Sequence, residues 1–275
     1  MQQRWWCPAQ TQMMGIVNIT PDSFSDGGCF KQVDAAVRQA LRLEQEGAQL
    51  IDLGGESTRP GAAPVSVQEE MDRVLPVLEK LRAQSKVKIS IDTSSPQLMT
   101  EAAALGADLI NDVRALTRPG ALEAAAATGL PICLMHMRGE PQTMQQQAAY
   151  QQVVAEVGEW LETRVQACAS VGIEKERLIL DPGFGFAKQL EHNLALLADL
   201  AALTRFGLPL LVGMSRKRML GEITGRPVEE REAAGLAAHL IAAQQGASWL
   251  RVHQVAGLQD ALQVWRAVQA ASRHK

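Results

Sequence analysis

Short apolar runs alternate along the chain with longer segments in which apolar residues recur every three or four positions. Runs of the first kind are typical of buried strands, and segments of the second kind are typical of amphipathic helices. Each run is bounded by polar or glycine-rich residues, which mark where the chain turns. The pattern predicts eight strands, over residues 13–18, 50–53, 88–92, 109–111, 132–136, 178–181, 210–213 and 249–253.

The segments between these strands predict helices. In residues 33–46 the apolar side chains share one face, and Gly47 follows directly, as is common where a helix ends. Residues 67–81 repeat the pattern with Pro76 inside the segment, where it predicts a kink. The other predicted helices cover residues 96–105, 120–127, 146–169, 192–204, 228–245 and 258–271.

Eight strand–helix units in 275 residues predict the α/β fold class and, within it, the (β/α)8 TIM barrel. A doubly wound sheet, the main alternative, usually has fewer strands. No tract rich in Pro, Ser and Gly resembles a linker. We therefore predict a single (β/α)8 domain over residues 1–275, in which residues 1–12 form a short segment before the first strand.

The charge balance limits the classes of partner. The chain has 27 basic and 30 acidic residues, so it lacks a basic footprint for nucleic acid or for an anionic membrane, and neither partner is expected. No apolar stretch is long enough to span a bilayer, and residues 1–12 lack the apolar core of a secretory signal, so a cytoplasmic protein is expected. The motifs of serine hydrolases, zincins and P-loop enzymes are absent.

Polar side chains occur at the carboxyl ends of almost all the predicted strands. In a barrel of this class these ends meet at one face, where active sites form. Short polar residues also cap helices and form turns, but capping does not explain a lysine, an arginine and a histidine at the same end. The residues are Asn18, Asp52, Glu56, Asp92, Asn111, His136, Asp181, Ser215, Lys217, Arg251 and His253.

The glycine-rich stretch 54–61 (GGESTRPG) lies between a predicted strand and a predicted helix. Its backbone amides, its hydroxyls and the Arg59 guanidinium suit a phosphate, although a flexible surface loop has the same composition. Arg251 and His253 alternate on one strand and therefore point to the same side, so with Arg59 they could hold a diphosphate. A structural ion pair is the other role open to Arg251.

A second group combines two carboxylates, an amide and an ammonium. Such a mixture can bind the edge of a flat heterocycle, because carboxylates accept from N–H groups and an ammonium donates to a carbonyl; a magnesium site is the weaker alternative. The group consists of Asp92, Asn111, Asp181 and Lys217. Beside it, Phe184 and Phe186 could pack on a planar ring or in the core. His136, between two methionines, is predicted to be a packed structural residue.

Taken together, these segments resemble a known family. Residues 14–28 (MGIVNITPDSFSDGG) and 52–61 (DLGGESTRPG) are similar to the two signatures of the dihydropteroate synthases. Six shorter motifs follow in the order found in that family: SIDT at 90–93, IND at 110–112, LMHM at 134–137, LDPGFGF at 180–186, MSRK at 214–217 and RVH at 251–253. The resemblance covers about residues 13–255.

The resemblance implies a homodimeric barrel enzyme of folate synthesis, a transferase that joins 6-hydroxymethyl-7,8-dihydropterin diphosphate to p-aminobenzoate and releases diphosphate. Magnesium is the implied cofactor, and sulfonamides are implied mimics of p-aminobenzoate. The implied reaction proceeds by loss of diphosphate to a pterin cation, which the arylamine then attacks. Two other functions remain open at this point, a pterin-binding methyltransferase-type barrel and a non-catalytic pterin binder.

The resemblance also implies roles for individual residues. The implied pterin-binding residues are Asp92, Asn111, Val113, Met135, Asp181, Gly213 and Lys217. The implied diphosphate-binding residues are Asn18, Thr58, Arg59, Arg251 and His253, with Asn18 also the metal ligand. The implied p-aminobenzoate-binding residues are Phe24, Thr58, Pro60, Phe186 and Ser215. The implied catalytic residues are Arg59, Asp92, Lys217, Arg251 and His253.

The chain departs from the family pattern at two positions. Many members have a small hydroxyl residue after the lysine of the MSRK motif, where this chain has Arg218, which could bind the p-aminobenzoate carboxylate more strongly or point to solvent. An acidic residue commonly follows the histidine of the RVH motif, where this chain has Gln254. The orientation of His253 is therefore expected to depend on another partner.

Overall fold

Eight parallel strands form the centre of the computed structural model, which describes residues 4–20, 29–57 and 65–272. They run in the order β6-β5-β4-β3-β2-β1-β8-β7, and a parallel bridge between Leu180 and Leu210 joins the two edges. The barrel predicted from the sequence is therefore confirmed. The strands are β1 (Gln12–Asn18), β2 (Leu50–Gly54), β3 (Lys88–Asp92), β4 (Leu109–Asp112), β5 (Ile132–Met135), β6 (Leu178–Asp181), β7 (Leu211–Val212) and β8 (Trp249–Val252).

Helices follow the strands and surround the barrel. All eight predicted helical segments contain an α-helix, and the sequence pattern missed one further helix, α7. Among the described residues, none of the helices is both long and apolar enough to cross a bilayer. The helices are α1 (Cys29–Gln45), α2 (Val67–Arg82), α3 (Pro96–Ala104), α4 (Ala121–Thr128), α5 (Val153–Ser170), α6 (Leu190–Ala198), α7 (Arg218–Thr224), α8 (Glu232–Gln244) and α9 (Ala256–Ser272).

Three predicted helices are shorter than expected, because each segment also contains a 3-10 turn. These are the segments predicted over 146–169, 192–204 and 228–245. The break after α6 falls at Asp199, whose φ of −120° and ψ of 33° are not helical. The 3-10 turns are Met144–Gln147, Leu200–Phe206 and Val228–Glu230.

α7 was not predicted, whereas α2 agrees with the helix predicted over residues 67–81, and the kink at Pro76 stays a prediction. α7 has seven residues and contains Gly221, so it is too short to show helical periodicity in the sequence. α2 continues through Pro76, which lies on the exposed side of the helix. The carbonyl that loses its hydrogen-bond partner there can be solvated, so the proline does not end the helix.

Alternate strand residues face the barrel interior, where the lower layer is apolar. This layer consists of Met14, Leu50, Leu109, Cys133, Ile179, Leu211 and Trp249. Strand side chains alternate with a period of two, so residues two positions further along the same strands face the same interior. These residues are Ile16, Asp52, Asn111, Met135, Asp181, Gly213 and Arg251, and four of them are polar. The apolar layer is thus the floor of a polar mouth at the carboxyl ends of the strands.

The N-terminal segment covers the opposite end of the barrel. The indole N–H of Trp249 donates to the carbonyl of Trp6 at 3.0 Å, and the ring of Trp5 packs edge-on against Trp249. The indole N–H of Trp6 in turn donates to the carbonyl of Glu176 at 2.9 Å. The two tryptophans close the bottom of the barrel, which leaves the polar mouth as the end available to ligands.

Candidate active site

The parallel register places the predicted heterocycle-binding residues on neighbouring strands. Asp92 of β3 lies opposite Asn111 of β4, and Asp181 of β6 lies opposite Met135 of β5. Lys217 follows β7, and its charge interacts with the carboxylates of Asp92 and Asp181. The structure therefore brings the two carboxylates, the amide and the ammonium together at one end of the barrel.

Arg251 extends from β8 into this group and contacts two aspartates. Its Nε donates to Asp52 at 2.6 Å, and its Nη2 donates to Asp92 at 2.7 Å. The amide nitrogen of Asn111 also donates to Asp52, at 3.3 Å. The ion pair that the sequence left open as an alternative role for Arg251 is present, so its contact with a diphosphate stays a prediction.

Burial changes the acid–base properties of the whole group. It raises the pKa of Asp92, a rise that Asp52 and Asp112 reinforce and Arg251 opposes. Burial also raises the pKa of Asp181 to about 6, although the backbone N–H of Gly183 donates to its carboxylate at 2.7 Å.

The ammonium of Lys217 is affected in the opposite sense. Burial, together with the nearby Arg251 guanidinium, lowers its pKa to about 8. The ammonium also lies 4.0 Å from the centre of the Phe186 ring. Groups with such shifted values can change between donor and acceptor near neutral pH, which suits recognition of a heterocycle with both N–H and carbonyl edges.

An apolar cluster borders the polar group. It contains Val113, Met135 and Phe186, all predicted from the resemblance, together with Met137 and Met144. Phe184 belongs instead to the main core between strands and helices, so only one of the two phenylalanines lines the mouth. The cluster provides a flat apolar wall of the kind that a planar ring packs against.

The turn after β6 requires glycine at two positions. Gly183 has a φ of +70°, and a Cβ on it would lie 2.0 Å from the carbonyl oxygen of His136. Gly185 has a φ of +77°, and its Cβ would lie 3.1 Å from the side chain of Lys217. The DPGFGF motif therefore folds closely against β5 on one side and against Lys217 on the other.

His136 is buried below this turn, which confirms its prediction as a packed structural residue. Its Nδ1 lies 2.9 Å from Nζ of Lys188, and its ring packs edge-on against Trp160. Burial and the charge of Lys188 lower the pKa of His136 to about 2. The imidazole is therefore neutral across the physiological range.

Lys188 is a site-supporting residue that the sequence analysis missed. It is only 4% exposed, and its ammonium donates to the carbonyls of Gly183 at 3.0 Å and Phe186 at 3.1 Å. Burial lowers its pKa to about 7. Its place two residues after the DPGFGF motif is the one signal in the sequence that could have identified it.

Ser215 replaces the acidic partner expected for His253. Its hydroxyl lies 2.9 Å from Nδ1 of His253 and also accepts from the backbone N–H of that residue at 3.3 Å. Arg218 extends into solvent, 88% exposed, where its Nε donates to Glu222 at 2.6 Å. The two departures from the family pattern therefore have different consequences. His253 has a contact with Ser215, whereas Arg218 points into solvent.

Glu56, one of the polar residues predicted at the mouth, forms an ion pair. It accepts from the guanidinium of Arg114 at 3.0 Å. Arg114, itself only 6% exposed, also donates to Glu140 and to the hydroxyl of Ser94. The ion pair connects the loop after β2 with the loop after β4, a link between distant segments that the sequence pattern does not show.

Asn18 ends β1 opposite Gly54 and is half-buried. Its amide oxygen is a hard ligand of the kind that Mg²⁺ accepts, and Mg²⁺ usually keeps waters and takes further ligands from phosphate oxygens. Asn18 therefore fits a magnesium ion that arrives with a diphosphate. Across residues 4–20, 29–57 and 65–272, no group of three or more His, Cys, Asp or Glu side chains is arranged to hold a metal.

Four of the residues implied by the resemblance lie outside the described part of the chain. They are Phe24, Thr58, Arg59 and Pro60. Their roles toward diphosphate and p-aminobenzoate stay predictions. The site geometry that supports a function therefore consists of residues on β1 to β8 and the turns that directly follow them.

Comparison with known proteins gives consistent matches over nearly the whole chain. The model of the family described as "Pterin binding enzyme" matches residues 14–253. The dihydropteroate synthase of Escherichia coli K12 is 52% identical over 263 residues, which are 96% of this chain and 93% of that enzyme.

Solved structures agree with the sequence comparison. Dihydropteroate synthase from Xanthomonas albilineans with 4-aminobenzoic acid superposes with a TM-score of 0.91 at 54% identity, covering 95% of this chain and 94% of that one. The Yersinia pestis enzyme in a sulfonamide drug complex has a TM-score of 0.91 at 51% identity, covering 95% of each chain. The chain therefore belongs to the dihydropteroate synthases, transferases within the pterin binding enzyme family.

Proposed function

We propose that this protein condenses 6-hydroxymethyl-7,8-dihydropterin diphosphate with p-aminobenzoate to give 7,8-dihydropteroate and diphosphate. The observation that carries the proposal is the placement of Asp92, Asn111, Asp181 and Lys217 around one mouth, with Arg251 on β8 and His253 directly after that strand. A group that fits a heterocycle and cations that fit an anion are thus side by side. The substrate that needs both is a heterocycle bearing a diphosphate.

The pterin would lie between the polar group and the apolar wall. Asp92 and Asp181 accept from its ring N–H and amino groups, Asn111 binds through its amide, and Lys217 donates to the ring carbonyl. Val113 and Met135 contact the ring face, and Gly213 leaves space beside it because it has no side chain. This arrangement supports binding of the ring by its edge, with its methylene toward β8 and β1.

The diphosphate would lie toward Arg251, His253 and Asn18, with Thr58 and Arg59 as further predicted contacts. Loss of diphosphate from the pterin methylene leaves a cation delocalised into the ring, so the barrier falls as the leaving anion is stabilised. When bound, Mg²⁺ would neutralise charge on the diphosphate oxygens. Asp92 lies on the ring side, where a carboxylate stabilises the positive charge that develops.

The p-aminobenzoate would lie against Phe186 and Ser215, with Phe24, Thr58 and Pro60 as further predicted contacts. The arylamine is neutral near pH 7 and can attack the cation directly. Its proton leaves after the bond has formed, so no strong base is required. The X. albilineans structure contains 4-aminobenzoic acid, and the Y. pestis structure contains a sulfonamide, which supports a site for p-aminobenzoate that sulfonamides occupy.

We infer that the protein acts as a homodimer in the cytoplasm. Three of its exposed large apolar side chains are Leu194 on α6, Ile223 on α7 and Ile241 on α8. These helices pack against one another, so the side chains are on the same side of the barrel. Light scattering on the purified protein tests the dimer, and a mass equal to one chain at micromolar concentration would reject it.

Diphosphate release tests the proposed reaction. The protein is mixed with the dihydropterin diphosphate, p-aminobenzoate and Mg²⁺, and each component is omitted in turn. Release that requires all three supports the synthase. Pterin binding without release would instead support a methyltransferase-type barrel or a non-catalytic pterin binder.

A further inference from the structure

Asp52 lies at the centre of the polar mouth, but neither the resemblance nor the proposed function gives it a role. It is the third residue of β2, two positions beyond Leu50 in the apolar floor. Its side chain is 0% exposed. A carboxylate without accessible surface cannot touch a substrate, so any role must pass through the residues that it contacts.

Within the described part of the chain two side chains donate to Asp52, and both belong to residues assigned to substrate. Nε of Arg251 donates to it at 2.6 Å, and Nδ2 of Asn111 donates to it at 3.3 Å. Nη2 of Arg251 is held in turn by Asp92 at 2.7 Å. A guanidinium is planar, so two carboxylates that bind Nε and Nη2 fix its plane as well as its position.

The contact with Asn111 fixes an orientation in the same way. The two ends of an amide side chain differ only in hydrogen-bonding capacity, and its orientation follows its partners. Asp52 accepts from Nδ2, so the amide nitrogen of Asn111 is directed toward the carboxylate. The amide oxygen, Oδ1, is then the end that can accept a hydrogen bond from a ligand.

We propose that Asp52 is a positioning residue of the active site, whose buried carboxylate sets the plane of the Arg251 guanidinium and the orientation of the Asn111 amide. The inference rests on the proposed function, because that function assigns Arg251 and Asn111 to the substrate. Asp52 differs from a merely structural ion-pair partner because its contacts determine how two ligand-binding groups face the mouth.

The charge of Asp52 provides a readout that packing alone would not. The charged groups that act on Asp92 come from several elements: Arg251 of β8, Asp52 of β2, Asp112 of β4, Glu70 of α2 and Lys217 after β7. Asp52 raises the pKa of Asp92, and Arg251 lowers it. Removing the charge of Asp52 has two effects on Asp92. The repulsion that raises the pKa of Asp92 is lost, and Asp92 becomes the one remaining carboxylate partner of Arg251 among the two, so both effects lower that pKa.

The test compares Asp52→Asn with Asp108→Asn in the full-length protein. Asp108 pairs with Arg82 and Lys88 at the amino end of the barrel, so its variant controls for loss of a partly buried ion pair far from the mouth. We expect kcat/KM of D52N to fall by about tenfold or more, because misoriented groups bind the transition state less tightly. Asp92 accepts from the ring only when it is ionised, so the limb of the kcat/KM pH profile that reports Asp92 rises with pH. This limb should move to lower pH in D52N, with no such movement in D108N.

A second variant separates position from charge. Asp52→Glu keeps the charge but displaces its carboxylate by one methylene, so we expect kcat/KM to fall while the ascending limb stays where it is in the wild type. D52N with wild-type kinetics and an unshifted limb would overturn the proposal. The proposal would also be overturned if the activity lost in D52N equalled the fraction of the protein that thermal denaturation shows to be unfolded.

Two further measurements keep the outcomes distinct. If D52N does not fold, the Nε–H resonance of Arg251 in the native protein is followed by NMR. It should exchange slowly and keep its chemical shift when the pterin binds, and a shift to that of free arginine would overturn the proposal. If the wild type releases no diphosphate, the proposed reaction fails. The variants are then compared by pterin fluorescence titration, where equal affinities in D52N and wild type would reject the positioning role.

Discussion

The ammonium of Lys188 lies 2.9 Å from Nδ1 of His136, within the buried space between β5 and the turn that follows β6. The same ammonium donates to the carbonyls of Gly183 and Phe186. One side chain therefore joins the end of one strand to the turn of the next. Because Asp181 precedes this turn and Phe186 ends it, the shape of the mouth depends on a residue that does not line it.

Replacing Lys188 with methionine should loosen this turn. The carbonyl of Phe186 would lose the donor from Lys188, and the carbonyl of Gly183 would keep only the backbone N–H of Phe186, at 3.1 Å. A buried group that loses its partner costs about 1–3 kcal/mol. We expect a lower melting temperature and a higher KM for p-aminobenzoate, since Phe186 would move. Thermal unfolding and steady-state kinetics check this, and unchanged values for both would show that the turn holds its shape without the ammonium.

Lys188 should also change how stability depends on pH. Its pKa is lowered from 10.5 to about 7 in the folded protein, so between these values the unfolded chain binds more protons than the folded one. Stability therefore rises with pH across this window and is lost as the pH falls toward 7. Denaturant unfolding of the wild type minus that of Lys188→Met, measured from pH 7 to 10, should have a positive slope. A flat difference would contradict a buried lysine with a lowered pKa.

The tight approach of Gly183 to β5 gives a prediction with a matched control. Gly183→Ala combines a φ of +70° with a Cβ placed 2.0 Å from the carbonyl oxygen of His136. Gly207→Ala has a similar φ of +66° but nothing within 4 Å of the new Cβ. We expect about 1–2 kcal/mol of destabilisation in G207A from backbone strain and a clearly larger loss in G183A. Equal losses by urea denaturation would show that the close contact can relax.

The sequence predicts the barrel well because each strand is a short, mostly apolar run that turn residues separate from an amphipathic helical segment. β3 and β6 occupy the predicted ranges, and apolar residues such as Leu50 are followed two positions later by polar ones such as Asp52. The ion-pair partner of Asp52 cannot be predicted in this way. Arg251 lies 199 residues away, so its ion pair with Asp52 follows only from closure of the barrel.

The contacts of the supporting residues could not be predicted for the same reason. Lys188 acts through His136, 52 residues earlier in the chain, and Ser215 acts on His253, 38 residues later. No local pattern marks such pairs. The resemblance to a family named residues that would touch substrate, Ser215 among them, whereas the contacts that hold such residues in place follow only from distances and burial.

The raised pKa of Asp181 predicts how pterin binding depends on pH. An ionised carboxylate accepts from ring N–H groups, so affinity should rise as the pH increases through about 6. Asp181→Asn should remove this rise and weaken binding by about tenfold or more, because an amide also offers a donor to the ring. Fluorescence titration with the pterin from pH 5 to 8 measures both effects. A pH-dependent rise that persists in D181N would assign the titration to another group.

Ser215 and Arg218 provide the last prediction, because they are close in sequence but differ in their contacts. The Ser215 hydroxyl lies 2.9 Å from Nδ1 of His253, so Ser215→Ala should remove one of the contacts that orient the imidazole. We expect kcat/KM for the pterin diphosphate to fall by about tenfold. The guanidinium of Arg218 pairs with Glu222 in solvent, so Arg218→Ala should leave KM for p-aminobenzoate close to that of the wild type. Steady-state kinetics with each substrate varied in turn separate the two effects. A large rise in KM for p-aminobenzoate in R218A would mean that Arg218 leaves Glu222 when the substrate binds.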